Sequence, residues 1–172
     1  MSLVVFKFKK IKSTNNTALQ NIKRGIQKGI IVSDKQTSGR GRFGRKWISF
    51  KGNLFASFFF EIKKKINLKR ITLINFNIIK ECLQKIISKK IKKKYPNDLM
   101  VNNHKICGIL QEIIHFEDRK YLIVGIGVNI VKSPKIDKYP TTFINNFLNK
   151  KISKNIVLNC LKINYEKNIK KF

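Results

Sequence analysis

The run Asn-Leu-Phe-Ala-Ser-Phe-Phe-Phe-Glu at positions 53 to 61 constrains the fold more than any other segment, because its apolar residues fall on both faces of a strand. A strand without a polar face belongs in the middle of a sheet that is covered on both sides. The flanking sequence supplies the other layers. Residues 3 to 9 alternate around Phe6 and Phe8 as a strand, and Ser13-Thr14-Asn15-Asn16 is an N-cap cluster. Ala18, Leu19, Ile22 and Ile26 continue at helical spacing, with Gly25 and Gly29 as stop signals. Residues 29 to 33 predict a short buried strand.

Ile71, Ile74, Ile78, Cys82 and Ile86, with Leu83 and Ile87, mark the longest amphipathic helix, expected to end near Ile91. Between two apolar runs, Asn102-Asn103 predicts a tight hairpin turn, and Glu117-Asp118 predicts a second, so that residues 99 to 129 form an antiparallel meander. Gly108, Gly125 and Gly127 fall inside those strands, where glycine marks a bulge or a close backbone approach. After Asn129 a proline-bearing loop precedes two helices, the last capped at Ser153 and running to about Lys170. These elements make an α+β fold, a mixed and largely antiparallel sheet flanked by helices. At 172 residues with 42% hydrophobic content and 13 Phe, the chain suits one domain with a proper core.

A net charge of +29 invites a nucleic-acid reading, in which basic side chains form one stripe with interleaved aromatics. Against it, 32 of the 38 basic residues are Lys, and Ile, Asn and Phe are also abundant. All four have A/T-rich codons, so a biased genome accounts for the charge, and the runs at 63–65 and 92–94 are expected to be solvated. Cys82, Cys107 and Cys160 are odd in number, with no Cys-x-x-Cys and no zinc spacing, as expected of reduced, mostly buried thiols in a cytoplasmic protein. The amino terminus turns basic at Lys7, too early for a signal-peptide core, and no apolar run approaches the roughly 20 residues of a membrane span.

Only six basic residues are Arg, yet Arg40, Arg42 and Arg45 fall within Gln36 to Trp47, interleaved with Gly39, Gly41 and Gly44. Guanidinium is planar, permanently charged and grips phosphate or carboxylate oxygens in pairs. Glycines that reach positive φ let backbone N–H groups face the same anion. The segment is therefore an anion-wrapping loop. Its Gly-x-Gly-x-x-Gly spacing also matches the dinucleotide fingerprint, but Lys46 to Gly52 is no amphipathic helix, which that fingerprint requires. Nor does it repeat like a low-complexity Arg/Gly tract.

Five segments, taken in order, resemble the catalytic domain of biotin protein ligases: Ser13-Thr14-Asn15; Gln36 with Gly-Arg-Gly-Arg-Phe-Gly-Arg-Lys-Trp at 39 to 47; Lys94-Tyr95-Pro96-Asn97-Asp98; Lys105 with Cys107-Gly108-Ile109-Leu110-Gln111-Glu112; and Gly125-Ile-Gly127-Val-Asn129. They run from about residue 11 to 131, and Tyr139-Pro140-Thr141-Thr142 is similar to the family's more weakly patterned end. Tyr95 stands where the family usually has Trp. The resemblance implies a biotin/lipoate ligase-like, class II synthetase-like fold and a two-step reaction. Biotin and ATP give biotinyl-5′-AMP and pyrophosphate, and the biotinyl group passes to one lysine of a biotin carboxyl carrier protein. Mg²⁺ accompanies ATP.

By that resemblance Ser13, Thr14, Asn15, Gln36, Gly39, Arg40, Lys105, Gly108 and Leu110 would hold biotin. Arg40, Arg42, Arg45, Trp47, Asn97, Lys105 and Asn129 would hold ATP or the adenylate. Lys105, Arg40, Arg42 and Asp98 would serve the chemistry, with Asp98 also near Mg²⁺ and the attacking lysine. The resemblance further implies one catalytic domain over residues 1–172, with no room for an N-terminal helix-turn-helix domain or a C-terminal β-barrel domain, hence no operator binding. Exposed sheet edges allow a homodimer as well as a monomer. The alternatives are a lipoate ligase or lipoyl/octanoyl transferase of the same fold, whose first loop lacks the interleaved Gly-Arg-Gly-Arg, and the basic nucleic-acid-binding module.

Overall fold

A computed structural model describes residues 2–63 and 66–172. It contains strands β1 (Val5–Ile11), β2 (Lys28–Gln36), β3 (Leu54–Glu61), β4 (Ile91–Lys94), β5 (Asp98–Val101), β6 (His104–Phe116) and β7 (Arg119–Val128). The helices are α1 (Thr14–Lys23), α2 (Leu68–Gln84) and α3 (Lys154–Asn168). The strands form one sheet in the order β1-β2-β3-β7-β6-β5-β4, with β1 and β2 parallel and every other pair antiparallel.

The apolar run is β3, third in that order and buried on both faces as its composition requires. Leu54, Ala56, Phe58 and Phe60 face the main core under α2 and α3, where Phe58 stacks on Tyr165 at 4.3 Å between ring centroids. Phe59 faces the other way, joining Ile31, Tyr121 and Ile123 beneath Ala18 and Ile22 of α1. Each layer follows from period-2 alternation in the strands meeting a helical stripe.

Ser13 caps α1, its side chain accepting from the Asn16 N–H, and Gly25 takes φ +85° just past the helix end. Asn102 and Asn103 have φ of 47° and 62°, the left-handed pair of a two-residue hairpin turn, and Glu117 (φ 51°) turns β6 into β7. No helix among the described residues is long and apolar enough to cross a membrane. Cys82 and Cys107 are free and buried, and Cys160 is free and half-buried.

Several sequence expectations change. Gly29 is no helix stop: it lies inside β2, where a Cβ would come 2.9 Å from the Phe6 ring and 3.0 Å from Phe59. The long helix ends at Gln84, not near Ile91, because Gln84 folds back on the chain. Its amide donates to the Ile87 and Lys89 carbonyls and its oxygen accepts from the Ile91 N–H. Lys92 and Lys94 are exposed on edge strand β4 while Lys93 is half-buried; Lys64 and Lys65 of the earlier run lie outside the described residues. The first of the two expected C-terminal helices is a single 3-10 turn, Ile144–Phe147. Gly108, Gly125 and Gly127 sit in regular register, and the bulge is instead at Leu99/Met100.

A buried polar chain ties the helical layer to the sheet. The fully buried Tyr165 donates its hydroxyl to Asn75 Oδ1 at 2.8 Å, and Asn75 Nδ2 donates to Gln111 Oε1 at 2.5 Å. Tyr165→Phe leaves that Asn75 oxygen buried without its donor, so denaturant unfolding should show a loss of about 1–3 kcal/mol with the fold retained.

Candidate functional site

On the face of the sheet that α1 covers, Tyr121 and Ile123 of β7 carry side chains into the helix contact, and then Gly125 and Gly127 carry none. Across the ladder Gly108 of β6 stands opposite Gly127, and Leu110 opposite Gly125. The sheet therefore becomes bare beyond the start of α1, and other parts of the chain settle on it. A Cβ at Gly127 would lie 2.4 Å from the Trp47 indole, one at Gly108 2.6 Å from the same ring, and one at Gly125 2.3 Å from Asn15 Oδ1. These glycines admit the protein's own Trp47 and Asn15 against the sheet, and a cavity of about 420 Å³ is left beside them.

The arginine segment folds as a small hairpin over this cavity. Trp47 N–H donates to the Gly39 carbonyl (2.8 Å) and Gly41 N–H to the Arg45 carbonyl (2.6 Å), with a 3-10 turn, Arg42–Gly44, at the tip. Of the three glycines only Gly44 has positive φ, +72°, alongside Phe43 at 56°. Gly39 is required for another reason, since a Cβ there would come 2.8 Å from the Trp47 carbonyl oxygen. Arg40, Arg42 and Arg45 all line the cavity. Among the described residues neither Arg42 nor Arg45 has a carboxylate partner. Arg42 lies over the Phe43 ring at 4.8 Å, and Phe43 itself is 84% exposed.

Lys105 reaches the same cavity through the bulge. Leu99 pairs with Cys107 and Met100 with Lys105, so Ile106 is an extra residue on β6. Cys107 and Ile109 point into the main core, and strict alternation would send Lys105 there too. The extra residue turns Lys105 onto the face of Gly108 instead. Its ammonium is 2.8 Å from Asp98 Oδ1, with its side chain 10% exposed, and lies 5.2 Å from the ring centroids of both Trp47 and Tyr139. That approach neutralises the buried ammonium, yet it is not directed as a hydrogen bond: Asp98 Oδ1 has no donor, and Trp47 Nε1 is likewise buried without an acceptor. Burial pushes the neighbouring Cys107 thiol far up despite the pull of the Lys105 charge. It stays protonated and is no nucleophile here.

Among the other residues singled out by sequence, Ser13, Thr14, Asn15, Gln36, Asn97, Gly108 and Leu110 line the cavity. Gln36 Oε1 is taken by the Thr14 N–H and hydroxyl, at 2.8 and 3.0 Å. Asn15 is spent on the protein, receiving from Ser57 Oγ (2.5 Å) and donating to Glu112 Oε2 (2.6 Å). Gly39 and Asn129 are not brought to the cavity wall. Asn129 is buried and donates to the Thr142 carbonyl, pinning the strap 140–142 whose backbone bonds both sides of Lys105. That strap delivers Tyr139, which was legible in sequence only as part of a weakly patterned end and carried no site role there. Among the described residues six basic side chains, Arg40, Arg42, Arg45, Lys46, Lys94 and Lys105, share the cavity wall with one carboxylate, Asp98. Two anions brought together in it would meet fixed positive charge on several sides.

Comparison with known proteins agrees with this arrangement. The pattern of the Biotin/lipoate A/B protein ligase family matches residues 5–129. The Bifunctional ligase/repressor BirA of Bacillus subtilis is 33% identical over 130 residues, covering 72% of this chain and 39% of that protein. The chain thus spans about two fifths of the length of the curated relatives it matches. The biotin protein ligase of Aquifex aeolicus in complex with biotin and ATP superposes with a TM-score of 0.83 at 31% identity, covering 98% of this chain and 71% of that one. The Leishmania major biotin protein ligase in complex with biotinyl-5-AMP gives 0.81 at 26% identity, covering 94% and 72%.

Trp47 is the only tryptophan, so its emission reports this site directly. Gly127→Ala should lift the indole from the sheet and shift the folded protein's emission to longer wavelength; an unchanged spectrum would mean that the glycine does not seat the ring.

Proposed function

The chain belongs to the biotin/lipoate A/B protein ligase family, and on that premise we propose that it is an ATP-dependent biotin protein ligase. It joins the biotin carboxylate to the α-phosphate of ATP, releases pyrophosphate, and passes the biotinyl group from biotinyl-5′-AMP to one lysine of a biotin carboxyl carrier protein. The observation that carries this reading is the convergence of Lys105 and the three loop arginines on one cavity, paired there with a single carboxylate.

In the first step a carboxylate must attack a phosphate, and like charges oppose the approach. Lys105, close to the Gly108 floor, bridges the two anions and stabilises the charge that develops at phosphorus. Arg40, Arg42 and Arg45 bind the phosphates, and Trp47 gives the adenylate an apolar wall. Ser13, Thr14, Gln36 and the Gly39 segment recognise the ureido ring, for which Gln36 still has its amide N–H groups. Asn15 and Leu110 shape the biotin end. Asn97 lies at the nucleotide end, and Asn129 acts from behind through the strap.

For the second step Asp98 is the one carboxylate near the acyl group, and it orients or deprotonates the incoming amine while Lys105 holds the leaving phosphate. Mg²⁺ fits this site in one way only. Among the described residues no three His, Cys, Asp or Glu side chains cluster, so Asp98, the carboxylate on the cavity wall, would be its one protein ligand beside the nucleotide's own oxygens. When bound, the ion supplies charge neutralisation at the phosphates. Free buried cysteines and the need for ATP suit a cytoplasmic setting.

The test is ATP–pyrophosphate exchange run in parallel with biotin, lipoate and octanoate. Biotin alone should support exchange, and Lys105→Ala should abolish it while leaving the thermal transition intact. Exchange that depends on lipoate, or none with any acid, would overturn the assignment, and full activity in Lys105→Ala would remove that residue from the mechanism.

A further inference from the structure

A carboxylate close to a cavity built for anions needs a reason. Glu112 lies on β6 four residues past Gly108, beyond the last residue of β6 that pairs with β5. Its Oε1 and Oε2 receive Arg40 Nη2 at 3.0 and 3.3 Å, and the same Nη2 donates to Asn16 Oδ1 at 2.9 Å. Both hydrogens of Nη2 are therefore engaged. Nε and Nη1, with three N–H groups between them, bond no protein atom among the described residues. Through Oε2 Glu112 also holds Asn15, which Ser57 anchors to β3.

Stability does not explain this arrangement. The Arg40 and Glu112 side chains are 43% and 28% exposed, and an ion pair so open to water adds little to folding. What the pair does fix is the plane of a guanidinium on a glycine-rich hairpin. An unheld Arg would sample many rotamers and would have to be ordered by the ligand itself.

We infer that Glu112 is a positioning residue for the activation step: with Asn16 it grips one edge of the Arg40 guanidinium, so that the opposite edge is presented ready to the biotin carboxylate and the phosphate it attacks. This role rests on the ligase reading above. Glu112 touches no reacting atom and acts through Arg40, and its own charge is cancelled where it stands, so it does not repel the substrates.

The test measures KM and kcat for biotin in pyrophosphate exchange with the full chain and with Glu112→Gln, which keeps an oxygen for Asn15 and loses the charge on Arg40. KM for biotin should rise about tenfold with a smaller change in kcat and an unshifted thermal midpoint. In an Arg40→Lys background, whose compact ammonium has no second edge to present, Glu112→Gln should add less than about twofold. Asn16→Ala sits at an exposed helix position and is the variant that folds most safely; it should raise KM in the same direction and likewise lose its effect with Arg40→Lys. If both variants keep the KM of the unsubstituted chain, or if their penalties persist undiminished in the Arg40→Lys background, the positioning role is wrong while the ligase reading stands. Failure of the unsubstituted chain to exchange with biotin would remove both.

Discussion

A lysine ammonium sits almost wholly out of water in this sheet, and the site depends on what compensates for that. Moving an ammonium into a protein interior costs several kcal/mol unless an opposite charge meets it. Asp98 does so at 2.8 Å. For the two to meet, the first residue of β5 must stand opposite Gly108 and the bulge must turn Lys105 onto the same face. The ladder irregularity and the ion pair are thus one requirement. The strap 140–142 completes it by bonding the backbone on both sides of Lys105, and it brings the Tyr139 ring to the ammonium.

A second condition is the bare stretch of sheet. Gly108, Gly125 and Gly127 contribute nothing to the core, and each forgoes side-chain packing in strands that are otherwise Ile- and Val-rich. What that loss makes room for is the Trp47 ring and the Asn15 amide, both set against backbone. Those two residues close the ends of the arginine hairpin and the first helix respectively. The glycines therefore determine where the loop's charges lie relative to Lys105. Lysines away from this region can simply stand in solvent, and β4 illustrates it: Lys92 is exposed along the sheet edge, where it deters edge pairing.

Much of the architecture was legible in the sequence because its cues are local. β3 announced its central place by being apolar throughout, Asn102-Asn103 its hairpin, and Ser13 its cap. The errors arise where a side chain or a distant ring decides. Gln84 ends α2 by bonding three backbone groups further on, and Gly29 is glycine because Phe6 and Phe59 converge on it. At the site, spacing identified the arginine loop and the resemblance identified Lys105, but alternation along β6 would have put Lys105 in the core. Only the pairing with β5 reveals the extra residue. Glu112 and Asn16 stood in quoted segments without a site role, and Ser57 only within the apolar run, for a related reason: their connection runs across three elements that meet only in the fold.

All of this makes Lys105 different from the other described lysines. Side-chain amine NMR with ¹⁵N-labelled lysine, assigned by Lys105→Arg, observes that difference directly. Lys105 should give a slowly exchanging ammonium signal while lysines such as Lys92 exchange with water too fast to be seen, and that signal should move when biotin and a non-hydrolysable ATP analogue are added together. A Lys105 signal that exchanges as fast as the surface lysines and ignores both ligands would contradict the account at its centre.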